Sequence, residues 1–337
     1  MHRWFHTLSR SFCTGLLMTG IGAGSAVADE TSGPHLVADR DAFHDLIEAD
    51  ATIEKLYGDA LWSEGPLALS EGSVIWSDIK NNRVLIWREG EGVSEWLKPS
   101  QFQNGHALDH DGRVLAASHG RRAVERLDES GEWRILADVY GMDKLNSPND
   151  LVVDSSGDIW FTDPTFGIDV EAEGYGGRAV AGGEYVYRLD PQSGELTRLD
   201  APDLATPNGL AFAPGEQTLY IADSERGHDF QDDSLNHRIM AYDVGEDGTL
   251  SDARVVTEVV PGFPDGIKVD EQGNIWSSSE SGIQIFNPEG ERLGRINLPE
   301  TTANLAFGRG DDQAVYITSS SSLYRVPVQV SEANRQP

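Results

Sequence analysis

The chain of 337 residues contains a single cysteine, Cys13, which lies in an apolar stretch near the amino terminus. One cysteine forms no internal disulfide and supplies no thiolate cluster for zinc. The Gly-x-Ser-x-Gly motif, which presents a nucleophilic serine on a sharp turn, is also absent from the sequence. These absences argue against a disulfide-stabilised scaffold, a cysteine zinc site and covalent catalysis by a cysteine or by a serine of that motif.

Positive charge is also scarce. The sequence contains 26 lysine and arginine residues against 56 aspartate and glutamate residues, which gives a formal net charge of −30 at pH 7. A surface of that charge repels nucleic acid and anionic lipid. We therefore expect neither a nucleic acid nor a membrane surface as a partner.

The amino-terminal segment has the composition of an export signal. Arg3 and Arg10 precede an apolar, glycine-containing stretch at residues 12–23, and Ala26-Val27-Ala28 is a small-residue cleavage pattern. The stretch is too short for a good membrane anchor. Residues 1–28 are thus predicted to be a Sec-type signal peptide, cleaved after Ala28, which sends a cysteine-free mature protein to the periplasm or the medium.

One pattern recurs through most of the remaining chain. A turn-forming residue pair is followed by a short apolar strand, a second turn and a second strand rich in β-branched and aromatic residues. The six copies begin at residues 64, 104, 149, 208, 265 and 304, which are about 40 to 60 residues apart. A strand-and-turn repeat of this length is typical of a β-propeller. The sequence therefore predicts an all-β fold, a six-bladed β-propeller with four-stranded antiparallel blades.

The propeller is predicted to occupy residues 52–330, after an N-terminal extension at residues 29–51 and before a C-terminal tail at residues 331–337. Residues 52–57 alternate like a strand, and we expect this strand to close the ring by completing the sixth blade. Five aromatic residues on strands near turns are interpreted as packing between blades: Trp62, Trp76, Trp160, Phe161 and Trp276.

Strand alternation brings two sets of polar residues to one face of the predicted propeller, which we name the upper face. The start of an innermost strand and the end of the second strand share this face because antiparallel neighbours reverse direction. The innermost strands begin with Glu64, Asn104, Asn149, Asn208, Asp265 and Asn304, and the second strands end with Asp78, His119, Asp163 and Asp223. The two longest loops, residues 164–184 and 224–236, also fall there, so we expect a site on this face.

The starts of the innermost strands form a ring of oxygen donors around the predicted central channel. Two of them, Glu64 and Asp265, are carboxylates, and the others are amides. This donor set matches a hard divalent cation, and flexible high coordination favours Ca²⁺ over Mg²⁺, with other divalent cations as alternatives. Asn-Gly and Asp-Gly are also common turn dipeptides, so each residue has a purely structural interpretation as well.

Over about residues 52–328 the chain resembles the gluconolactonase and regucalcin-like (senescence marker protein) family of six-bladed, calcium-dependent propeller lactonases. The matching motifs are Glu64-Gly65-Pro66, Asn146-Ser147-Pro148-Asn149-Asp150, Phe161-Thr162-Asp163-Pro164, Pro207-Asn208-Gly209 and Pro264-Asp265-Gly266. The resemblance implies that the metal ligands are Glu64, Asn149, Asn208 and Asp265. It also implies hydrolysis of lactones, most simply sugar lactones, in which the metal polarises the carbonyl and an activated water attacks.

Three residues are candidates for activating that water. Asp265 resembles the residue with this proposed role in the family, but a metal-bound aspartate has a low proton affinity and is a weak base. Related calcium propellers such as the paraoxonases use a histidine near the metal, which makes His119 and His106 further candidates. An ordinary rim or core histidine is the alternative for each of them.

Four residues of the predicted upper face are candidates for contacting the substrate: Asn104, Asp163, Phe166 and His228. Two alternatives to a lactonase are compatible with the same pattern. The metal could polarise an aryl ester or a phosphotriester instead of a lactone, or a calcium ion could be structural in a non-catalytic binding propeller.

Overall fold

The computed structural model describes residues 33–69, 72–180 and 182–334. The predicted signal peptide, residues 1–28, lies outside the described residues. Within them, 27 strands form six antiparallel sheets of four or five strands and one two-stranded ribbon. No helix in these ranges is long and apolar enough to cross a bilayer. The six sheets are the blades predicted from the repeat, so the all-β propeller fold is confirmed.

Two strands precede the repeats, β1 (His35–Ala38) and β2 (Glu54–Tyr57). The first blade contains β3 (Ser63–Leu69), β4 (Ser73–Asp78), β5 (Arg83–Arg88) and β6 (Gly92–Leu97). The second blade contains β7 (Gln103–Leu108), β8 (Val114–Ser118), β9 (Ala123–Leu127) and β10 (Trp133–Ala137). After the ribbon of β11 (Val139–Tyr140) and β12 (Asp143–Lys144), the third blade contains β13 (Leu151–Val153), β14 (Ile159–Asp163), β15 (Tyr185–Leu189) and β16 (Leu196–Arg198).

The fourth blade contains β17 (Pro207–Phe212), β18 (Thr218–Asp223), β19 (Arg238–Val244) and β20 (Leu250–Glu258). The fifth contains β21 (Ile267–Val269), β22 (Ile275–Ser279), β23 (Gly282–Phe286) and β24 (Arg292–Asn297). The sixth contains β25 (Thr302–Phe307), β26 (Ala314–Ser319) and β27 (Ser322–Pro327). The first strand of each blade contacts the first strand of the next, and the circle closes between β25 and β3. These six strands therefore surround the central channel.

Helical structure in the described ranges is limited to single turns. It comprises α1 (Phe166–Asp169) and the 3-10 helices Asp41–Asp45, Ile79–Asn81, Glu171–Glu173 and Glu225–His228. All of them except Asp41–Asp45 directly follow the second strand of a blade, in blades one, three and four. They therefore lie on the upper face, where the longest loops were predicted.

The sixth blade is completed by the chain's second strand. β2 pairs antiparallel with β27, with Lys55 opposite Tyr324. The sheet order β2, β27, β26, β25 places β2 at the outer edge of this blade. The predicted closure of the ring by residues 52–57 is confirmed.

The N-terminal extension forms part of the propeller wall. β1 pairs antiparallel with β24, with His35 opposite Asn297, so it adds a fifth strand to the fifth blade. Phe43 and Ile47, which follow this strand, are fully buried in the core shared by blades five and six. The sequence pattern did not predict this strand, because four residues give too short a period for a clear alternation.

Aromatic residues on the second strands pack one blade against the next. The ring of Trp160 lies 5.3 Å from Phe212 of the following blade, and the ring of Trp276 lies 5.2 Å from Phe307. Trp76, Trp160, Phe161 and Trp276 are all buried, as predicted. The interpretation of Trp62 as core was wrong, because this residue is partly exposed on the upper face and lines a pocket there.

Candidate active site

Three buried aspartates fix the segments that lead into the innermost strands. Asp78, Asp163 and Asp223 end the second strands of blades one, three and four. Each carboxylate accepts a hydrogen bond from the backbone N–H seventeen residues earlier. The donors are Leu61, Asn146 and Thr206, at 2.9, 2.8 and 3.0 Å. These contacts give Asp163 a structural reason for its position, and its predicted contact with the substrate stays a prediction.

The innermost strands approach one another closely where the candidate ligands begin them. A Cβ on Gly209 would lie 2.5 Å from the carbonyl oxygen of Asp265, and a Cβ on Gly266 would lie 2.1 Å from the side chain of Asn304. Real Cβ contacts are longer than this, so both positions accept only glycine without rearrangement. The Asn-Gly and Asp-Gly pairs therefore have a packing reason: they let neighbouring blades present their ligand residues side by side.

Three of the four predicted metal ligands meet at the upper mouth of the channel. The carboxylate of Asp265 lies within hydrogen-bonding reach of the Glu64 carboxyl and of the Asn208 amide. Glu64 and Asn208 are only 4% and 3% exposed. The fourth residue, Asn149, is buried just ahead of β13 and is held there by its backbone, which donates to Thr162 at 2.9 Å. Its role as a ligand stays a prediction.

The electrostatics of this group favour a bound cation. Burial raises the pKa of Asp265 to about 7, and the negative charges of Asp150 and Glu173 act in the same direction. Burial and the charge of Asp265 hold the pKa of Glu64 well above its usual value. Two crowded carboxylates are stabilised in their charged form when a cation lies between them. In the described residues no three His, Cys, Asp or Glu side chains form a metal cluster, so amide oxygens have to complete the ligand set. The residues present therefore fit a hard divalent cation.

Asp150 is a functional-site residue that sequence reasoning missed. It is buried, its Oδ1 accepts from the N–H of Leu151 at 2.9 Å, and its Oδ2 accepts from the Asn304 amide of the sixth blade at 3.3 Å. The ammonium of Lys268, from the fifth blade, lies 3.8 Å from the same oxygen. One carboxylate thus links three blades across the channel. Its signal in the sequence was a position where four other blades carry glycine: Gly65, Gly105, Gly209 and Gly266.

The two candidate histidines are buried and engaged on both ring nitrogens. His119 Nδ1 lies 3.1 Å from the carbonyl oxygen of Glu173, and its Nε2 lies 3.2 Å from the Asn104 amide nitrogen. His106 Nδ1 lies 2.8 Å from the carbonyl oxygen of Gly65. Burial lowers the pKa of both histidines to about 4, so both are neutral at pH 7. His119 can accept a proton at Nε2 only by giving up the hydrogen bond from Asn104, whereas Nε2 of neutral His106 faces the oxygen Oε1 of Gln103 at 3.5 Å. The catalytic roles of both histidines stay predictions.

Asn104 is held beside these groups with one free acceptor. Its Nδ2 contacts His119, while its Oδ1 is buried with no hydrogen-bond partner among the described residues. A buried carbonyl oxygen without a partner is costly, by about 1–3 kcal/mol. This oxygen is therefore available to a cation or to a substrate hydroxyl.

A pocket of about 490 Å³ opens beside Asp265 on the upper face. It lies between blades four, five, six and one, and loop residues form most of its wall. The principal lining side chains are Trp62, Arg226, Phe230, Phe263, Asp265 and Glu280. The pocket therefore joins an aromatic wall to the candidate metal ligands.

Phe166 and His228 support this wall from outside the pocket. Their rings stack with centroids 4.6 Å apart, and His228 Nε2 lies 3.1 Å from Glu184 Oε1. This hydrogen bond raises the pKa of His228. A Cβ on Gly227 would lie 2.9 Å from the Phe166 ring and 3.4 Å from Phe263, so Phe166 packs under the loop that carries the pocket. Direct contact of Phe166 and His228 with a substrate stays a prediction.

Comparison with known proteins identifies the family. Residues 62–321 match the model described as the SMP-30/Gluconolactonase/LRE-like region. The chain belongs to this family. It is 32% identical over 312 residues to a gluconolactonase of Zymomonas mobilis, an alignment that covers 83% of this chain and 82% of the relative.

Solved structures of family relatives have the same fold. A gluconolactonase from Xanthomonas campestris is 38% identical with a TM-score of 0.80, covering 88% of this chain and 96% of that chain. A calcium-binding regucalcin from Agrobacterium tumefaciens is 20% identical with a TM-score of 0.65, covering 83% and 94%. The second likeness shows the fold alone. The family predicted from the motifs is confirmed.

Proposed function

We propose that the protein is an exported, calcium-dependent lactone hydrolase of the gluconolactonase type, with sugar lactones as its simplest substrates. The observation that carries the proposal is that Asp265 lines a pocket large enough for a sugar lactone and interacts with the side chains of Glu64 and Asn208. The gluconolactonase relatives, which match most of the chain, support the reaction class.

The residues of the site have separate parts in this proposal. Glu64, Asn149, Asn208 and Asp265 would hold the cation, which when bound polarises the ring carbonyl and stabilises the oxyanion. Asp265 belongs to the ligand set and also to the pocket wall, so it is placed to orient a water toward the carbonyl carbon. The water adds to the acyl carbon, the ring C–O bond breaks, and the proton released by the water returns to the leaving alkoxide.

The first experiment measures hydrolysis by the mature protein, which begins at Asp29. Glucono-δ-lactone, a γ-lactone, an aryl ester and a phosphotriester are compared, with calcium, after chelation with EDTA, and after calcium is added back. We expect lactone turnover that EDTA abolishes and calcium restores. Asp265→Asn should lower kcat/KM by about a hundredfold or more. Asp143→Asn, at an exposed position on β12, is the matched control and should not change it.

Each other outcome identifies a different function. Turnover of only the aryl ester or the phosphotriester assigns a different substrate to the same site. If no compound is hydrolysed while calcium still raises the melting temperature, the protein is a binding propeller with a structural ion. Lactone turnover that resists both EDTA and Asp265→Asn contradicts the proposed site.

Export is tested separately. Expression of the full chain followed by fractionation and amino-terminal sequencing should give a periplasmic or secreted protein that starts at Asp29. A cytoplasmic protein that retains residues 1–28 would contradict this part of the proposal.

A further inference from the structure

The pocket beside Asp265 contains an arginine that the proposed hydrolysis of a neutral lactone does not use. Arg226 is the one cationic side chain among the described residues that line this pocket. It belongs to the 3-10 helix Glu225–His228, and its own N–H donates to the carbonyl oxygen of Asn236 at 3.0 Å. Its side chain is 20% exposed. The guanidinium is therefore held at the pocket by a fixed backbone.

The contacts of this guanidinium leave most of its donors free. Nη2 forms an ion pair with Asp233 and a long contact of 3.5 Å with the carbonyl oxygen of Phe230. Nε and Nη1 have no hydrogen-bond partner in the described part of the chain. The Asp233 side chain is 83% exposed, and an ion pair with so exposed a carboxylate contributes little to stability. A ligand anion can therefore replace Asp233 as the partner of Arg226 at little cost in free energy.

The surroundings of Arg226 are acidic, so the presence of a cationic side chain here bears on the charge of the ligand. Asp233, Asp265 and Glu280 line the same pocket, and the whole chain has a formal net charge of −30. A neutral lactone gains little from an arginine here, whereas an anionic one would be repelled without it. The rings of Phe230 and Phe263, 5.5 Å apart, line the pocket beside this guanidinium, and apolar neighbours strengthen a charge-assisted hydrogen bond.

We propose that the pocket takes lactones with an anionic substituent remote from the ring carbonyl, and that Arg226 recognises this oxyanion. A carboxylate, a sulfonate or a phosphate matches the planar fork of donors that arginine presents. The ring carbonyl lies at the Asp265 end of the pocket and the anion lies at Arg226. This inference rests on the proposed lactone hydrolysis for its reaction, but the anion subsite can be tested without any reaction.

The kinetic test compares glucono-δ-lactone with glucaro-1,4-lactone, which carries a carboxylate, and with 6-phosphogluconolactone. The wild-type protein should have the higher kcat/KM for an anionic lactone. Arg226→Gln should lower kcat/KM for that lactone at least tenfold more than for gluconolactone, mainly through KM. Asp233→Asn removes the same ion pair but keeps the guanidinium, so it should strengthen anion recognition. Arg254→Gln breaks an exposed arginine–aspartate pair on the outer strand of the same blade and should leave kcat/KM unchanged for all three lactones.

A binding measurement separates failure of the subsite from failure of the proposed reaction. Glucarate and gluconate, which cannot be hydrolysed, are titrated by calorimetry. Glucarate should bind at least tenfold more tightly than gluconate, and Arg226→Gln should abolish that difference even if no lactone is turned over. Equal binding of glucarate by the wild type and Arg226→Gln, or an equal kinetic loss on all three lactones, overturns the proposal.

Discussion

A single carboxylate holds the strand that closes the propeller ring. Glu300 accepts hydrogen bonds from the Lys55 ammonium of β2 at 2.9 Å, and from Tyr324 and Ser322 of β27 at 2.9 and 2.6 Å. The two strands are neighbours in the sixth blade. Glu300→Gln should therefore weaken the closure of the ring without touching the active site.

The size of the effect follows from the pKa of Glu300. Burial raises this pKa, but the hydrogen bonds from Ser322, Lys55 and Tyr324 outweigh it and lower the pKa from 4.5 to about 2. At 1.36 kcal/mol per unit, the lowered pKa corresponds to at most about 3 kcal/mol of the free energy of unfolding at pH 7, and solvent screening of the partly exposed Lys55–Glu300 pair reduces this to about 2 kcal/mol. Because the pKa is lower in the folded state, this contribution is full above pH 4.5 and is lost as the pH falls toward 2. About 1 kcal/mol or less should remain at pH 3.

Urea denaturation at pH 7 and at pH 3 measures both values. Glu300→Gln should lower the free energy of unfolding by about 2 kcal/mol at pH 7 and by about 1 kcal/mol or less at pH 3. Glu54→Gln, on the exposed side of β2, is the matched control and should have an effect within about 0.5 kcal/mol at both pH values. An equal loss at the two pH values would show that the charge of Glu300 is not what holds the strand.

Two further substitutions test the scaffold around the channel. Gly209→Ala should destabilise the fold by about 1–3 kcal/mol, because its Cβ would lie 2.5 Å from a neighbouring backbone oxygen, whereas Gly33→Ala, with no atom within 4 Å, should not. Equal melting temperatures for these two variants would contradict the close packing of the innermost strands. Asp223→Ala should lower the free energy of unfolding by about 3–5 kcal/mol, because it leaves buried N–H groups and Arg238 unpaired. Denaturation beside the exposed control Asp200→Ala checks this, and a loss below about 1 kcal/mol would refute it.

The architecture could be predicted because its signals are local and repeated. A turn pair, an apolar run and a second β-branched run can be read within about 20 residues. Six copies then specify the ring, since each blade buries its faces only against its neighbours. The closing strand β2 could also be predicted, because residues 52–57 alternate like a strand just before the first repeat and an N-terminal strand often completes the last blade of a propeller.

The wall of the pocket could not be predicted, because it depends on contacts between distant loops. The loop that carries Arg226 is placed by contacts with Phe166, sixty residues earlier, and with Phe263 of the next blade. Trp62 has the same aromatic signal as the buried Trp76, but it comes just before a strand instead of within it. Residue type alone therefore assigned it to the core, and only its exposure places it in the pocket.

The aspartates of the upper face show why burial alone does not locate a site. Burial raises the pKa of both Asp223 and Asp265, but at Asp265 nearby negative charges raise it further, against the hydrogen bonds with Glu64 and Asn208. Backbone N–H groups and Arg238 lower the pKa of Asp223, so its charge is compensated within the chain. Asp265 instead faces the charges of Asp150 and Glu173, and it raises the pKa of Glu64 in turn. The negative charge of Asp223 is balanced by groups of the protein itself. The negative charge of Asp265 is left for a bound ion to balance, which is why the proposed cation belongs at the mouth of the channel.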